Sequence, residues 1–285
     1  MRLLFILVAF LAFMPHHASA TEISAEAAEI AKVWPPELMY EGKPVDPDCL
    51  RAMLVTPSGT AFPMDLATCG PKATRGPNDP VPVNGIVEGD NEDIGYDYTC
   101  KDKDCGSFFY RYVGHAEGAM VIASEYTDKD SRTTTSLDLL KREEGDKLLS
   151  VGHLTGGERC NGGLAGPPKV TDDGRLLYGF NTTPYGFMAR YVTGKERATS
   201  SEMTDCSSCC LGRFSMEGRL ALEIDFQTTK RNLDAMKRDG LQGCFNKEYQ
   251  RVEGRTLNDA DAKAFAEETI KNCRYLMKYQ QFGKE

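Results

Sequence analysis

Ten cysteines, all of them downstream of a charged and apolar N-terminus, constrain this chain more than any other feature. Met1 and Arg2 precede twelve apolar residues, Leu3 to Met14, and a short stretch ending in Ala18-Ser19-Ala20. That is the form of a secretory signal peptide, with cleavage expected after Ala20. A retained anchor fits less well, because twelve residues make roughly 18 Å of helix against a hydrocarbon core of ~30 Å. Export places the thiols in an oxidising compartment, where an even cysteine count reads as a disulfide framework.

The chain has 285 residues, long enough to bury a full core, so the disulfides reinforce a fold rather than replace one. Its net charge of −8 disfavours nucleic acid, whose binding requires basic residues against phosphate, and permits a basic partner.

Local patterns suggest pairings. Cys49 and Cys69 flank two β-prone runs, Leu50 to Val55 and Ala61 to Leu66, around Pro57-Ser58-Gly59-Thr60. A hairpin centred on Gly59 would set the two cysteines opposite one another, at a sheet edge because of Pro63. Cys273 falls on the apolar stripe Ala262, Phe265, Ala266, Ile270, Cys273, Leu276, Met277 of a C-terminal helix capped by Asn258, and Cys244 is its expected partner. Cys100 and Cys105 enclose a short polar loop. Cys160 is expected to reach one of Cys206, Cys209 and Cys210, leaving the other two to pair. Cys206-Ser207-Ser208-Cys209 has redox spacing but is followed by Leu211-Gly212 without a sustained helical stripe, so a structural bond is expected. No zinc-knuckle pair accompanies it, and no metal or cofactor is called for.

Residues 21–83 read as an arm with a hairpin, 84–227 as a β-rich core, and 228–285 as a helical segment packed on that core. Strands are expected at 108–113, 119–126, 133–140, 147–153, 175–181 and 219–226. In the last, Leu220, Leu222, Ile224 and Phe226 alternate with Ala221, Glu223 and Asp225. Turn signals at Glu144-Gly145-Asp146, Asp173-Gly174 and Glu217-Gly218 mark hairpins. The fold class expected is β-rich α+β, an antiparallel β-barrel or sandwich with disulfides and a C-terminal helix.

Catalytic motifs are sparse. His115 and His153 are the histidines beyond the signal-like segment, and no nucleophile elbow, zincin helix or phosphate loop occurs. His153 shares strand parity with Leu149 and Val151, which predicts an inward histidine. As a general base beside the glycine-rich stretch Gly156 to Gly163, it would take Glu158 as its orienting carboxylate. The segment 84–100 carries Glu88, Asp90, Glu92, Asp93 and Asp97 without one Lys or Arg. It departs from the calcium-loop pattern at Ile94 and suits electrostatic recognition instead. Tyr185, in Thr183-Pro184-Tyr185-Gly186-Phe187, could stack on a sugar or peptide. The leading expectation is an exported, disulfide-stapled binding or inhibitor-like protein for a basic protein or an envelope glycan. The alternative is a cell-envelope hydrolase using His153 and nearby carboxylates.

Overall fold

The computed structural model describes residues 34–55, 63–69, 82–88, 94–100, 106–200, 203–226, 236 and 239–281, with backbone alone for 82–88, 94–100, 195, 198, 199, 274, 275 and 277–281. The signal-like segment, the connection between Cys49 and Cys69 at 56–62, and Cys105 lie outside these residues. The chain divides into two compact units, Met1–Pro44 and Val45–Glu285. In the first, β1 (Met39–Tyr40) and β2 (Lys43–Pro44) pair antiparallel across Glu41 and Gly42, both at positive φ as a tight hairpin requires.

In the second unit α1 (Pro47–Leu54) comes first. A seven-stranded antiparallel sheet follows, made by β3 (Met64–Asp65), β4 (Pro82–Glu88), β5 (Ile94–Cys100), β6 (Ser107–Ala116), β7 (Ala119–Thr127), β8 (Thr133–Glu143) and β9 (Lys147–Glu158). Its order is β3-β9-β8-β7-β6-β5-β4, a meander with β3 brought to the far edge. A second antiparallel sheet runs β10 (Lys169–Val170), β11 (Leu176–Thr182), β12 (Gly212–Glu217), β13 (Leu220–Asp225) and β14 (Thr256–Asn258) in sequence order. Helices α2 (Pro184–Tyr191), α3 (Gly194–Ser200), α4 (Gly240–Tyr249) and α5 (Asp259–Gln281) complete the unit. The fold is therefore strand-rich and antiparallel, the larger sheet curving as a half-barrel, with a C-terminal helix.

The core lies between the sheets. Val121, Ala123, Leu137 and Leu139 of the larger sheet belong to one apolar cluster with Leu176, Phe214, Met216 and Ile224 of the smaller. Phe187 of α2, Phe245 of α4 and Phe265 of α5 close the same cluster. The opposite face of β7 and β8 is buried too: Met120, Ile122 and Leu140 are at most 2 % exposed, so β7 reads as a continuous apolar run from Ala119 to Ala123. Helix α1 lies along β5 and β6, toward one edge of the sheet.

Two sequence expectations change here. Leu50 to Val55 is helix α1 and the final turn residue, not a strand: Asp46 caps it by accepting from Asp48 N at 2.8 Å, and Pro47 occupies its first turn. The Cys49–Cys69 disulfide nevertheless forms, with Cα atoms 5.4 Å apart, joining a helix to the segment after β3. In and just after β13, Ile224 and Phe226 are buried, but Leu220 is 71 % and Leu222 47 % exposed. A bulge between Ser215 and Met216 on the pairing to β12 shifts the register and breaks the alternation.

The remaining described disulfides are Cys160–Cys210, Cys206–Cys209 and Cys244–Cys273, which match the pairings expected from the sequence. Cys100–Cys105 lies outside the described side chains.

Candidate functional site

A polar chain interrupts the buried apolar face of β7, β8 and β9. Register places Ser124 of β7 opposite Ser136 of β8, and Asp138 of β8 opposite His153 of β9. Ser136 and Asp138 are two residues apart on one strand and so share a face. His153 Nδ1 lies 2.8 Å from Asp138 Oδ1, and Ser136 Oγ donates to Asp138 Oδ2 at 2.6 Å. Ser136 has one hydroxyl proton and spends it on the carboxylate, so Ser124 Oγ, 2.7 Å away, is the donor to Ser136 Oγ.

The pairing across β8 and β9 shifts between Leu137 and Asp138 and again between Leu139 and Leu140. These two bulges correct the parity expected for His153. Its side chain is 60 % exposed, while Asp138 beside it is 5 % exposed. The carboxylate that holds Nδ1 is that of Asp138, so Asp138 and not Glu158 orients the imidazole. Strand-pair counting on an uninterrupted ladder could not reveal this, since it is the bulge that brings residue 153 opposite residue 138.

The Asp138 hydrogen bond raises the His153 pKa above its ordinary value of 6.5, against the opposing effect of partial burial. An imidazole held at Nδ1 by a carboxylate is fixed in tautomer and orientation, leaving Nε2 for proton exchange. Gly156 permits the ring to lie where it does: a Cβ there would sit 2.7 Å from His153 Cε1 and 3.1 Å from Ser136 Cβ.

The glycine-rich stretch after β9 is a packed turn. Asn161 N and Gly163 N both donate to the Glu158 carbonyl, at 2.9 and 3.0 Å, and a Cβ on Gly157 would fall 1.7 Å from the Asn161 carbonyl oxygen. Gly162 N and the Gly163 carbonyl then exchange hydrogen bonds with Asn181, fastening the turn along β11. The backbone donors of Asn161, Gly162 and Gly163 are thereby engaged in the fold.

Of the other sequence candidates, Tyr185 is in the first turn of α2, partly buried and packed against the core. Thr183 caps that helix, its Oγ1 accepting from Gly186 N at 3.0 Å. His115 is in the last turns of pairing at the end of β6, where it hydrogen-bonds Tyr112. Glu88 is the last residue of β4, and Asp97 sits within β5 opposite Gly85. Asp90, Glu92 and Asp93 lie outside the described residues. The structure thus brings His153 together with two serines and an aspartate that the sequence reading missed, and leaves Glu88 and Asp97 on the separate β4–β5 pair. Among the described residues no group of three or more His, Cys, Asp or Glu is arranged to hold a metal ion.

Comparison with known proteins adds no relative: the chain matches no protein-family model, no curated protein and no solved structure.

Proposed function

We propose that this is an exported binding protein, inhibitor-like in construction, whose acidic β4–β5 hairpin recognises a basic protein or a basic group of an envelope component. The observation that carries the reading is the direct register of Glu88 with Ile94. Strands β4 and β5 form the outermost pair of the seven-stranded sheet, and Asp90, Glu92 and Asp93 fall between them in sequence, outside the described residues. A run of carboxylates without a compensating Lys or Arg steers a basic partner from a distance, and a sheet already paired across seven strands keeps the ordering cost of docking low. Four disulfides among the described residues fit an oxidising compartment, and no described helix is long and apolar enough to cross a membrane.

The test is a triple reversal, Asp90→Lys, Glu92→Lys and Asp93→Lys. It should slow association with the partner that co-purifies from the native compartment by about tenfold or more at low salt, and raised salt should mimic it in the wild type. Association indifferent to both would remove the proposal.

A second reading is supported by the His153–Asp138 bond: a cell-envelope hydrolase in which His153 Nε2 is the general base and Asp138 its orienting partner. In the same preparation, His153→Ala should then abolish turnover of envelope-derived material by at least ~100-fold while leaving capture intact. Full turnover by that variant would exclude the role.

A further inference from the structure

Two disulfides meet at the peptide bond between Cys209 and Cys210, and the loops they close differ in length. Cys160–Cys210 spans a sequence separation of 50 and ties the turn after β9 to the start of β12. Cys206–Cys209 spans a separation of 3. A cross-link stabilises largely by removing freedom from the unfolded chain, and it does so least when the loop it closes is short.

The segment that carries Cys206–Cys209 is also held without it. Cys209 N donates to the Cys206 carbonyl at 3.0 Å, and Leu211 N donates to the Thr182 carbonyl at 2.8 Å. Thr183 Oγ1 donates to Asp205 Oδ1 at 2.7 Å, and Thr204 N donates to Gln242 Oε1 at 2.7 Å. With the S–S bond open, these contacts keep the two Cα atoms near their 5.2 Å separation, ready to close again. Cys206, between the exposed residues Asp205 and Ser207, is partly exposed, as is Cys210, whereas their partners Cys209 and Cys160 are buried, so it is loop length and not exposure that separates the two bonds. Ser208 Oγ, 3.5 Å from Cys206 Sγ, can donate to a thiolate formed there.

We propose that Cys206–Cys209 is a reversible thiol–disulfide exchange site for a dithiol partner, set beside a permanent cross-link. One thiolate of the partner attacks Cys206 Sγ, the accessible sulfur. The Cys206–Cys209 bond breaks, and Cys209 leaves as a thiolate and takes a proton. The partner's second thiolate then attacks its own sulfur in the mixed disulfide, releasing the Cys206 thiolate. The partner is oxidised to a disulfide and this site gains two electrons and two protons. Reduction leaves the fold in place because the neighbouring hydrogen bonds and Cys160–Cys210 do not depend on the bond that opens.

The test is titration of the folded, full-length protein with dithiothreitol at neutral pH, quenching with an alkylating reagent and mapping labelled peptides. Cys206 and Cys209 should be labelled at dithiol concentrations roughly tenfold below those that label Cys160, Cys210, Cys244 or Cys273. Opening of Cys160–Cys210 or Cys244–Cys273 at the same or lower concentration overturns the proposal. Addition of oxidised glutathione should restore Cys206–Cys209 alone, and re-formation through Cys210 also overturns it. The double variant Cys206→Ser, Cys209→Ser should keep the wild-type circular dichroism and lose dithiol consumption in the low range. A variant that fails to fold, or that consumes dithiol as the wild type does, contradicts a site whose scaffold stands without the bond.

Discussion

A carboxylate that is 5 % exposed needs compensation for the water it has lost, and Asp138 obtains it from Ser136 Oγ and the His153 imidazole. The folded pKa of His153 lies above the unfolded value of about 6.5, so the protonated ring stabilises the native state. That contribution is fully present below pH ~6.5 and is lost as pH rises through the raised folded value. Denaturant unfolding at stepped pH should show the decline in the wild type and its absence in His153→Gln. Exposure of the ring keeps the difference below about 1 kcal/mol. In Asp138→Asn the His153 midpoint, followed by NMR, should fall. Parallel stability profiles for wild type and His153→Gln, or an unmoved midpoint in Asp138→Asn, would show that the pair is not coupled. His153 itself was legible in the sequence as a lone histidine on a strand, although that strand was expected to end there and instead runs on to Glu158. Asp138 was not, because its pairing with residue 153 depends on a bulge, and bulges leave no periodic trace.

At the scale of elements, α5 is the clearest case in which pattern and structure agree. Asn258 Oδ1 accepts from Asp261 N at 2.9 Å, closing the helix N-terminus, and Ala262, Ala266, Ile270 and Cys273 are buried along one stripe. Cys244–Cys273 joins this stripe to α4 with Cα atoms 5.9 Å apart. Replacing both cysteines by serine should lower stability by about 2 to 5 kcal/mol and speed amide hydrogen exchange along α5 more than in β7 or β8. Unchanged exchange in α5 would mean that packing alone holds the helix. Helix α1 shows the opposite lesson. The β-prone run Leu50 to Val55 suggested a strand, while Asp46-Pro47, a cap followed by a first-turn proline, was a helix-start signal on the page and outweighed it. The disulfide partner came out right although the hairpin that suggested it is absent, since a cross-link records proximity and not the element that creates it.

For the second unit as a whole, the shared cluster between the sheets predicts common unfolding. Phe187 is fully buried, with ring centroids 5.3 Å from Phe226, 5.9 Å from Phe265 and 6.4 Å from Phe214 and Phe245. It therefore touches β12, α4, α5 and the end of β13 together. Phe187→Ala should cost about 3 to 5 kcal/mol. Near- and far-ultraviolet circular dichroism should still report one coincident denaturant transition with the disulfides intact. Separate transitions would show that the two sheets have independent cores.

Composition, strand periodicity and turn residues determined by themselves that this chain is an antiparallel β protein with a C-terminal helix, because each of those signals is local and recurs along a few neighbouring residues. The disulfide partners near the C-terminus were accessible for the same reason. What only the tertiary structure decided is which faces meet: that β7 is buried on both sides, that β3 returns to pair with β9, and that Ser124, Ser136, Asp138 and His153 join across three strands. Those relations depend on register and on bulges between segments distant in sequence, where a shift of one residue turns every side chain to the other face.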